Sequence, residues 1–175
     1  MSGSEAPIYP YWVIPGKFLA GEYPGQKPFL NPTAEQKISY LLGLGANYFI
    51  DLTEPGQLVP YARVLQEEGQ LSGQVVEYHH FAIADFGVPA PSRMIEILDA
   101  IDAALAKGKV VYLHCLGGIG RTGIVAACYL VRHGLNGKQA LEKIEELRQA
   151  LPDHWMRSPE SDVQWRMVLE WQPGQ

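Results

Sequence analysis

The sequence contains the stretch His114-Cys115-Leu116-Gly117-Gly118-Ile119-Gly120-Arg121-Thr122-Gly123 between two apolar runs, residues 110–113 and 124–131. This order predicts a buried strand, a glycine-rich loop and a buried helix. The cysteine falls where the strand ends, and the arginine falls where the helix begins.

The loop of this stretch has the features of an anion site. Its glycines leave successive backbone N–H groups open to a ligand at a helix N-terminus. The planar guanidinium of Arg121 matches two phosphate oxygens. The same N–H groups and the arginine favour the thiolate form of a neighbouring cysteine. We therefore predict a phosphate pocket with the Cys115 sulfur at its base, and with these phosphate-binding residues: Leu116, Gly117, Gly118, Ile119, Gly120 and Arg121.

A dinucleotide site is the alternative interpretation of these glycines, because Gly118-x-Gly120-x-x-Gly123 also fits that fingerprint. The fingerprint requires a second parallel strand about 20 residues further on, ending in an acidic residue. Residues 142–146 have a charged helical pattern instead. We rank this alternative low, since it also gives Cys115 and Arg121 no role.

Composition indicates one ordinary globular domain over residues 1–175, with loose tails at 1–7 and 172–175. The net charge is −5 and no basic run is present, which argues against a nucleic-acid partner. The two cysteines lack C-x-x-C spacing, so a disulfide scaffold or zinc site is not expected. Cys128 lies in the apolar run after the loop and is expected to pack in the core.

Localisation and assembly are predicted only by default. The N-terminus lacks a basic region followed by an apolar core, and the apolar run 124–131 is too short to span a bilayer. We expect a cytoplasmic monomer without a membrane partner.

His79 and His80 are adjacent in a predicted strand and point to opposite faces, so no metal site is expected there.

Strands and helices alternate up to Cys115, and only helices follow. Strands are predicted over 8–14, 17–20, 47–52, 75–83 and 110–113, with the first two forming an opening hairpin or edge strands. Helix starts are predicted at Thr33, Ser92, Asn136 and the Ser158-Pro159 pair. This order predicts an α/β fold in which a central mixed sheet of about five strands has helices on both faces, with the glycine-rich loop between a central strand and a buried helix.

The pattern His-Cys-x-x-Gly-x-x-Arg-Thr-Gly, met by residues 114–123, resembles the signature of the cysteine-dependent protein tyrosine phosphatases. The chain looks most like their small dual-specificity branch. The resemblance implies that Cys115 attacks phosphorus to form a phosphocysteine, which water then hydrolyses. It implies that Arg121 binds the phosphoryl group, that Thr122 helps the sulfur to leave and that His114 orients the loop and supports the thiolate. It implies no metal and no cofactor.

A general acid must also protonate the leaving oxygen, and the resemblance places it on a mobile loop upstream. Asp85 lies 30 positions before Cys115 (115 − 85), in a predicted loop after a strand. The larger relatives have Trp-Pro-Asp here, whereas this chain has Ile83-Ala84-Asp85. A loop aspartate that only makes a turn is the alternative. Asp51 and Glu54, at another strand end, are reserve candidates.

Gln164 is a candidate for positioning the hydrolytic water, because Ser-Pro-Glu-x-x-x-Gln at 158–164 looks like a pattern of some relatives. A solvated glutamine on a surface helix is an equally good interpretation.

We expect a phosphoprotein phosphatase that acts on phosphotyrosine and also on phosphoserine or phosphothreonine, with a phosphorylated protein as its partner. The alternatives are a phosphatase for phosphoinositides or other small phosphomonoesters, and a silent phosphate-recognising module. No lysine lies in the loop, which favours protein substrates, and the chain retains Cys115, Arg121 and Asp85, which favours catalysis.

Overall fold

The structure is a computed structural model that describes residues 5–175. It contains a five-stranded sheet with strand order β1-β2-β5-β3-β4. The strands are β1 Tyr11–Ile14, β2 Phe18–Gly21, β3 Tyr48–Asp51, β4 Glu77–His80 and β5 Val111–His114. The helices are α1 Ala34–Gly43, α2 Ala62–Ser72, α3 Pro91–Ala106, α4 Arg121–Arg132, α5 Gly137–Leu147 and α6 Asp162–Glu170.

The sheet is mixed, as predicted. β1 and β2 form the antiparallel hairpin, and β2, β5, β3 and β4 are parallel to one another. Alternate strand residues face two different clusters of buried side chains. One cluster joins the sheet to α3, α4, α5 and α6, and the other joins it to α1 and α2. The predicted α/β fold with helices on both faces is therefore confirmed.

The glycine-rich loop leaves the central strand. Every residue of β5 is buried, and β5 pairs with β2 on one side and β3 on the other. His114 at its end is in register with Gly21 and Asp51. Because parallel strands end at the same edge, the loops after β3, β4 and β5 meet there. Ligands of open α/β sheets bind at this kind of edge.

Two predicted helix starts are wrong. Helix α3 begins at Pro91 with Ala90 as N-cap, because proline suits the first helical position, so Ser92 is not the cap. Helix α6 does not begin at Ser158-Pro159, because the Ser158 hydroxyl donates a hydrogen bond to Ile119 O instead. Its N-cap is Ser161, which forms a capping box with Gln164.

The predicted loose C-terminal tail, residues 172–175, stays a prediction, and in the structure it makes two hydrogen bonds with Arg132. Gly174 N donates to Arg132 O at 2.9 Å, and the Arg132 side chain donates to Gln175 O, so residues 172–175 are held against the end of α4. Of the other predicted tail, residues 1–4 lie outside the described residues, while Ala6 and Pro7 are half-buried. Among residues 5–175 no helix has the length and apolar character needed to cross a membrane.

Candidate active site

A cavity of about 140 Å³ opens at the carboxyl end of β5. Cys115, 3% exposed, forms part of its wall. The structure brings the predicted nucleophile, arginine, acid and most of the loop together here. The lining residues are Asp85, Phe86, Cys115, Leu116, Gly117, Ile119, Gly120, Arg121 and Glu160.

The loop reaches this position because one residue has no side chain. Gly118 has φ +73°, and a Cβ there would lie 2.4 Å from the carbonyl carbon of Gly21. Tyr23 N also donates to Leu116 O at 3.0 Å, so the segment after β2 packs directly on the loop. Gly118 is thus required both by its backbone conformation and by the close approach of Gly21.

Arg121 is the first residue of α4 and is 1% exposed. Its Nη1 donates to Gln57 Oε1 at 2.9 Å and to Ile83 O at 3.2 Å. Its Nη2 lies 3.2 Å from Asp85 Oδ1. The guanidinium is therefore oriented by two loops, and it bridges the predicted phosphate site and the predicted acid.

Asp85 lies on the loop between β4 and α3, with its side chain 39% exposed. Its backbone N–H donates to Glu54 Oε2 at 3.2 Å. On the other side, Ser161 Oγ donates to Phe86 O at 2.9 Å and Gln164 Nε2 donates to Gly87 O at 3.1 Å. The acid loop is thus attached both to the loop after β3 and to the start of α6.

Gln164 is fully buried, so the interpretation as a solvated surface glutamine is wrong. Its Oε1 accepts from the backbone N–H groups of Glu160 and Ser161. Because its Nε2 binds Gly87 O, the amide already contacts three backbone groups. Positioning of the hydrolytic water by Gln164 stays a prediction.

His114 lies below the loop with its ring fully buried. Its Nδ1 is 3.0 Å from Cys115 O, and its Nε2 is 2.7 Å from the Tyr61 hydroxyl. A carbonyl only accepts, so Nδ1 carries the hydrogen and, in the neutral ring, Nε2 accepts from Tyr61. Burial lowers the pKa of His114, which favours this neutral form.

Thr122 Oγ1 is buried and has no hydrogen-bond partner within residues 5–175. The residue is fully buried in the first turn of α4, directly after Arg121. A buried hydroxyl without a partner is rare, and it is free to donate to an acceptor that forms during a reaction.

The reserve candidates do not line the cavity. Asp51 is buried, and its Oδ1 accepts from the N–H and hydroxyl of Thr53 while its Oδ2 accepts from Tyr78. It therefore fixes the root of the loop after β3. Glu54 is exposed and contacts the backbone of the acid loop, as described above.

Sequence reasoning missed two residues of this site, Gln57 and Glu160. Burial raises the pKa of Glu160, and the negative charge of Asp85 raises it further, against the lowering effect of Arg121. Both residues lie outside regular elements, so no hydrophobic periodicity marks them. For Gln57 the only available signal is its position after the end of β3, whereas Glu160 belongs to the Ser-Pro-Glu-x-x-x-Gln pattern that was interpreted for Gln164 alone.

Cys128 differs from Cys115 in its surroundings. It is fully buried within α4 as part of the larger core cluster, and burial raises the pKa of its thiol far above the usual range. The predicted packing role of Cys128 fits this position. Within the described residues, no group of three or more His, Cys, Asp or Glu side chains is arranged to hold a metal.

Sequence comparison identifies relatives of the chain. The family described as "Polymorphic toxin system, DSP-PTPase phosphatase" (Tc-R-P) matches residues 26–135, more than half of the chain. Protein tyrosine phosphatase domain-containing protein 1 of Mus musculus is 31% identical over 54% of this chain and 13% of its own length. Cyclin-dependent kinase inhibitor 3 of Homo sapiens is 35% identical over 40% of this chain and 34% of its own length. The matches thus span an eighth to a third of these relatives.

Solved structures share the fold over nearly the whole chain. Tk-PTP in its active form has a TM-score of 0.72 at 24% identity, covering 93% of this chain and 95% of that one. Kinase associated phosphatase, with its catalytic-site cysteine replaced by serine, has a TM-score of 0.74 at 21% identity, covering 95% and 94%. PTPMT1 in complex with PI(5)P has a TM-score of 0.68 at 20% identity, covering 92% and 93%. With a family match over more than half its length and this fold, the chain belongs to the cysteine-based dual-specificity and protein tyrosine phosphatase superfamily, as a small dual-specificity phosphatase-like domain.

Proposed function

We propose that the protein hydrolyses phosphomonoesters of phosphoproteins through a phosphocysteine intermediate. One observation carries this proposal: Cys115, the Arg121 guanidinium and the Asp85 carboxylate line a single cavity of about 140 Å³. A nucleophile, an anion-binding group and an acid are the three parts that this reaction needs.

In the first step the Cys115 thiolate attacks phosphorus while the ester P–O bond breaks. The leaving oxygen takes a proton from Asp85, and the loop N–H groups and Arg121 bind the three equatorial phosphoryl oxygens. Because Arg121 Nη2 contacts Asp85 in the ligand-free structure, the phosphoryl group must replace that carboxylate on the guanidinium. The Asp85 carboxyl group is thereby released from Arg121 and is available to the leaving oxygen.

In the second step water attacks the phosphocysteine and the S–P bond breaks, which releases inorganic phosphate. Asp85, now ionised, accepts the proton of the water. Thr122 Oγ1, buried without a hydrogen-bond partner among the described residues, donates to the departing sulfur. His114 donates to Cys115 O and holds the backbone at the nucleophile.

A protein substrate is favoured by the rim of the cavity. Leu116 and Phe86 line it and expose 37% and 59% of their surfaces, which gives apolar walls for a phosphorylated side chain. Residues 116–120 carry no basic side chain that would bind further phosphates. We therefore propose phosphotyrosine and phosphoserine or phosphothreonine as substrates.

Phosphoinositides or other small phosphomonoesters are the second candidate. The observation behind them is that PTPMT1, which shares the fold, is solved with PI(5)P. A silent recognition module is disfavoured because Cys115, Arg121 and Asp85 are all retained.

For assembly and localisation, we propose a cytoplasmic monomer. Gel filtration with light scattering would test the monomer, and cell fractionation would test the localisation.

The test measures wild-type and Cys115→Ser protein on p-nitrophenyl phosphate, phosphotyrosine and phosphothreonine peptides, and a phosphoinositide. We expect the wild type to turn over the peptides fastest, and we expect Cys115→Ser to be inactive while still binding phosphate. Full activity of Cys115→Ser would refute the mechanism. Faster turnover of the phosphoinositide than of the peptides would show that phosphoinositides, and not phosphoproteins, are the substrate class.

A further inference from the structure

We propose that Gln57 is a positioning residue of this active site, which holds the Arg121 guanidinium in the orientation that binds the phosphoryl group. The inference rests on the proposed function for its turnover measurements only. Gln57 lies in the turn of residues 54–57, here called the β3 turn, between β3 and α2.

The contact between the two side chains is short and specific. Arg121 Nη1 donates to Gln57 Oε1 at 2.9 Å and to Ile83 O at 3.2 Å. Both hydrogens of Nη1 are thereby used. The side-chain hydrogen bonds of Arg121 to the described residues come from Nη1, and Nη2 lies 3.2 Å from Asp85 Oδ1. Nε and Nη2 form the edge that binds two oxygens of a phosphate in a bidentate manner. Gln57 therefore turns this edge of Arg121 toward the cavity.

The β3 turn is itself fixed. Gln57 Oε1 accepts a second hydrogen bond, at 3.1 Å, from the backbone N–H of Glu54. At its root, Thr53 donates twice to the buried carboxylate of Asp51. The hydrogen bond from Glu54 thus fixes the Gln57 oxygen independently of Arg121. The Gln57 side chain therefore needs little further ordering to bind the guanidinium.

The same turn also reaches the acid loop, because Glu54 Oε2 accepts from Asp85 N at 3.2 Å. One short segment therefore contacts both the residue that binds phosphate and the backbone of the residue that gives the proton. When a phosphoryl group displaces Asp85 from Nη2, Gln57 keeps Nη1 in place, so the guanidinium does not follow the carboxylate.

The test compares Gln57→Leu with Gln57→Glu. Leucine has a similar size but no acceptor, whereas glutamate keeps the oxygen that Arg121 and Glu54 bind. Gln57 Nε2 makes no hydrogen bond with the described residues, so glutamate loses nothing there. The matched control is Gln70→Ala, on the exposed surface of α2. Binding of inorganic phosphate is measured by titration calorimetry, which needs no turnover.

We expect Gln57→Leu to weaken phosphate binding about tenfold, the usual effect of removing a hydrogen bond to a charged group. Gln57→Glu keeps the acceptor but adds a negative charge that repels phosphate, so it should recover only part of the affinity, and Gln70→Ala should match the wild type. In turnover assays, Gln57→Leu should lower kcat/KM by the same factor for p-nitrophenyl phosphate and for phenyl phosphate, because the substitution does not affect proton transfer to the leaving group. Loss of general structure would lower the amount of active protein and leave the phosphate affinity of the remainder unchanged.

Phosphate affinity of Gln57→Leu within twofold of the wild type would overturn the inference. The inference would also be overturned if Gln57→Leu weakened phosphate binding equally in an Arg121→Lys variant, where the Nη1 contact is already absent. If Gln57→Leu fails to fold, Gln57→Met is measured against the same criteria. A wild type that binds phosphate but hydrolyses nothing would refute the proposed function and leave the phosphate-binding test of Gln57 standing.

Discussion

Cys115 and Cys128 belong to one strand–loop–helix unit, but the surroundings of the two thiols differ. Cys115 directly follows β5, at the start of the glycine-rich loop, and lines the cavity with Arg121. Cys128 lies among apolar side chains in the middle of α4, where burial opposes its ionisation. Position along the unit, rather than residue type, therefore separates the proposed nucleophile from the cysteine that is expected to pack in the core.

Asp85→Asn tests the acid. An amide cannot donate the proton in the same way, so kcat for phenyl phosphate should fall about 10²–10⁴-fold, the usual effect of a general acid or base. The loss should be smaller for p-nitrophenyl phosphate, whose leaving group needs less protonation. Asp99→Asn, at an exposed aspartate paired with Arg132, is the control. Equal losses of kcat for both substrates, or an unchanged pH profile, would show that another residue is the general acid. Glu160, which also lines the cavity, would then be tested.

His114 makes stability depend on pH. Burial lowers its folded-state pKa below the ordinary 6.5, so the unfolded chain binds the proton first as pH falls. The contribution of His114 to the free energy of unfolding is therefore fully present above pH 6.5. Below this pH the free energy of unfolding should fall by up to about 1.4 kcal/mol per pH unit for one proton. Urea unfolding of the wild type and His114→Gln between pH 7.5 and 5 measures this, with the exposed His154→Gln as control. Equal slopes in all three proteins would contradict the assignment.

At the scale of elements, the edge of the sheet where β3, β4 and β5 end assembles the site from three loops and the start of α6. Hydrophobic alternation and glycine spacing predicted the strands, the loop and α4, because those features are local. Gln57 and Glu160 could not be predicted, since their roles depend on which loops meet at that edge. The start of α6 was wrong for the same reason, because the Ser158 hydroxyl binds the distant Ile119 O.

Gly118→Ala tests how the loop packs on the segment after β2. A left-handed backbone costs a residue with a Cβ roughly 1–2 kcal/mol, and here the Cβ also meets the Gly21 backbone at 2.4 Å. We expect a lower Tm and weaker phosphate binding. Gly73→Ala is the matched control, because Gly73 has φ +69° with open space around it. It should show the backbone cost alone and bind phosphate normally. Identical behaviour of both variants would show that the contact with Gly21 has no influence on the loop.

Gln164→Ala tests the attachment of α6 to the acid loop. Gln164 and Gln139 are both the third residue of a capping box, but only Gln164 also donates to Gly87 O. Each alanine variant should lose about 1 kcal/mol of stability through the cap. Only Gln164→Ala should also slow phenyl phosphate hydrolysis, since it removes one of the two hydrogen bonds that attach the loop of Asp85 to the start of α6. Equal activity of Gln164→Ala and Gln139→Ala, measured at saturating substrate, would exclude this role.

At the scale of the whole molecule, the sheet separates two clusters of buried side chains. The larger contains the inner faces of α3 to α6, and the smaller those of α1 and α2. Strands β2, β3 and β5 contribute residues to both, so the two clusters share the same sheet. This arrangement supports the prediction of a single domain.

Single-domain behaviour predicts one cooperative transition. Urea unfolding followed by tryptophan fluorescence and by far-UV circular dichroism should give the same midpoint, as expected for a two-state domain. Added phosphate should raise both midpoints together, because it binds only the folded state. Two separated transitions, or a phosphate effect on one probe only, would show that the two clusters unfold independently.

The central claim is that Cys115 carries the phosphoryl group between the two steps. Rapid acid quenching of wild-type protein during turnover of p-nitrophenyl phosphate, followed by mass spectrometry of the peptides, tests it directly. We expect one added phosphoryl group on the peptide that contains Cys115. It should be absent from Cys115→Ser and more abundant in Asp85→Asn, where hydrolysis of the intermediate is slowed. Turnover without a phosphorylated cysteine, or a phosphoryl group on another residue, would contradict it.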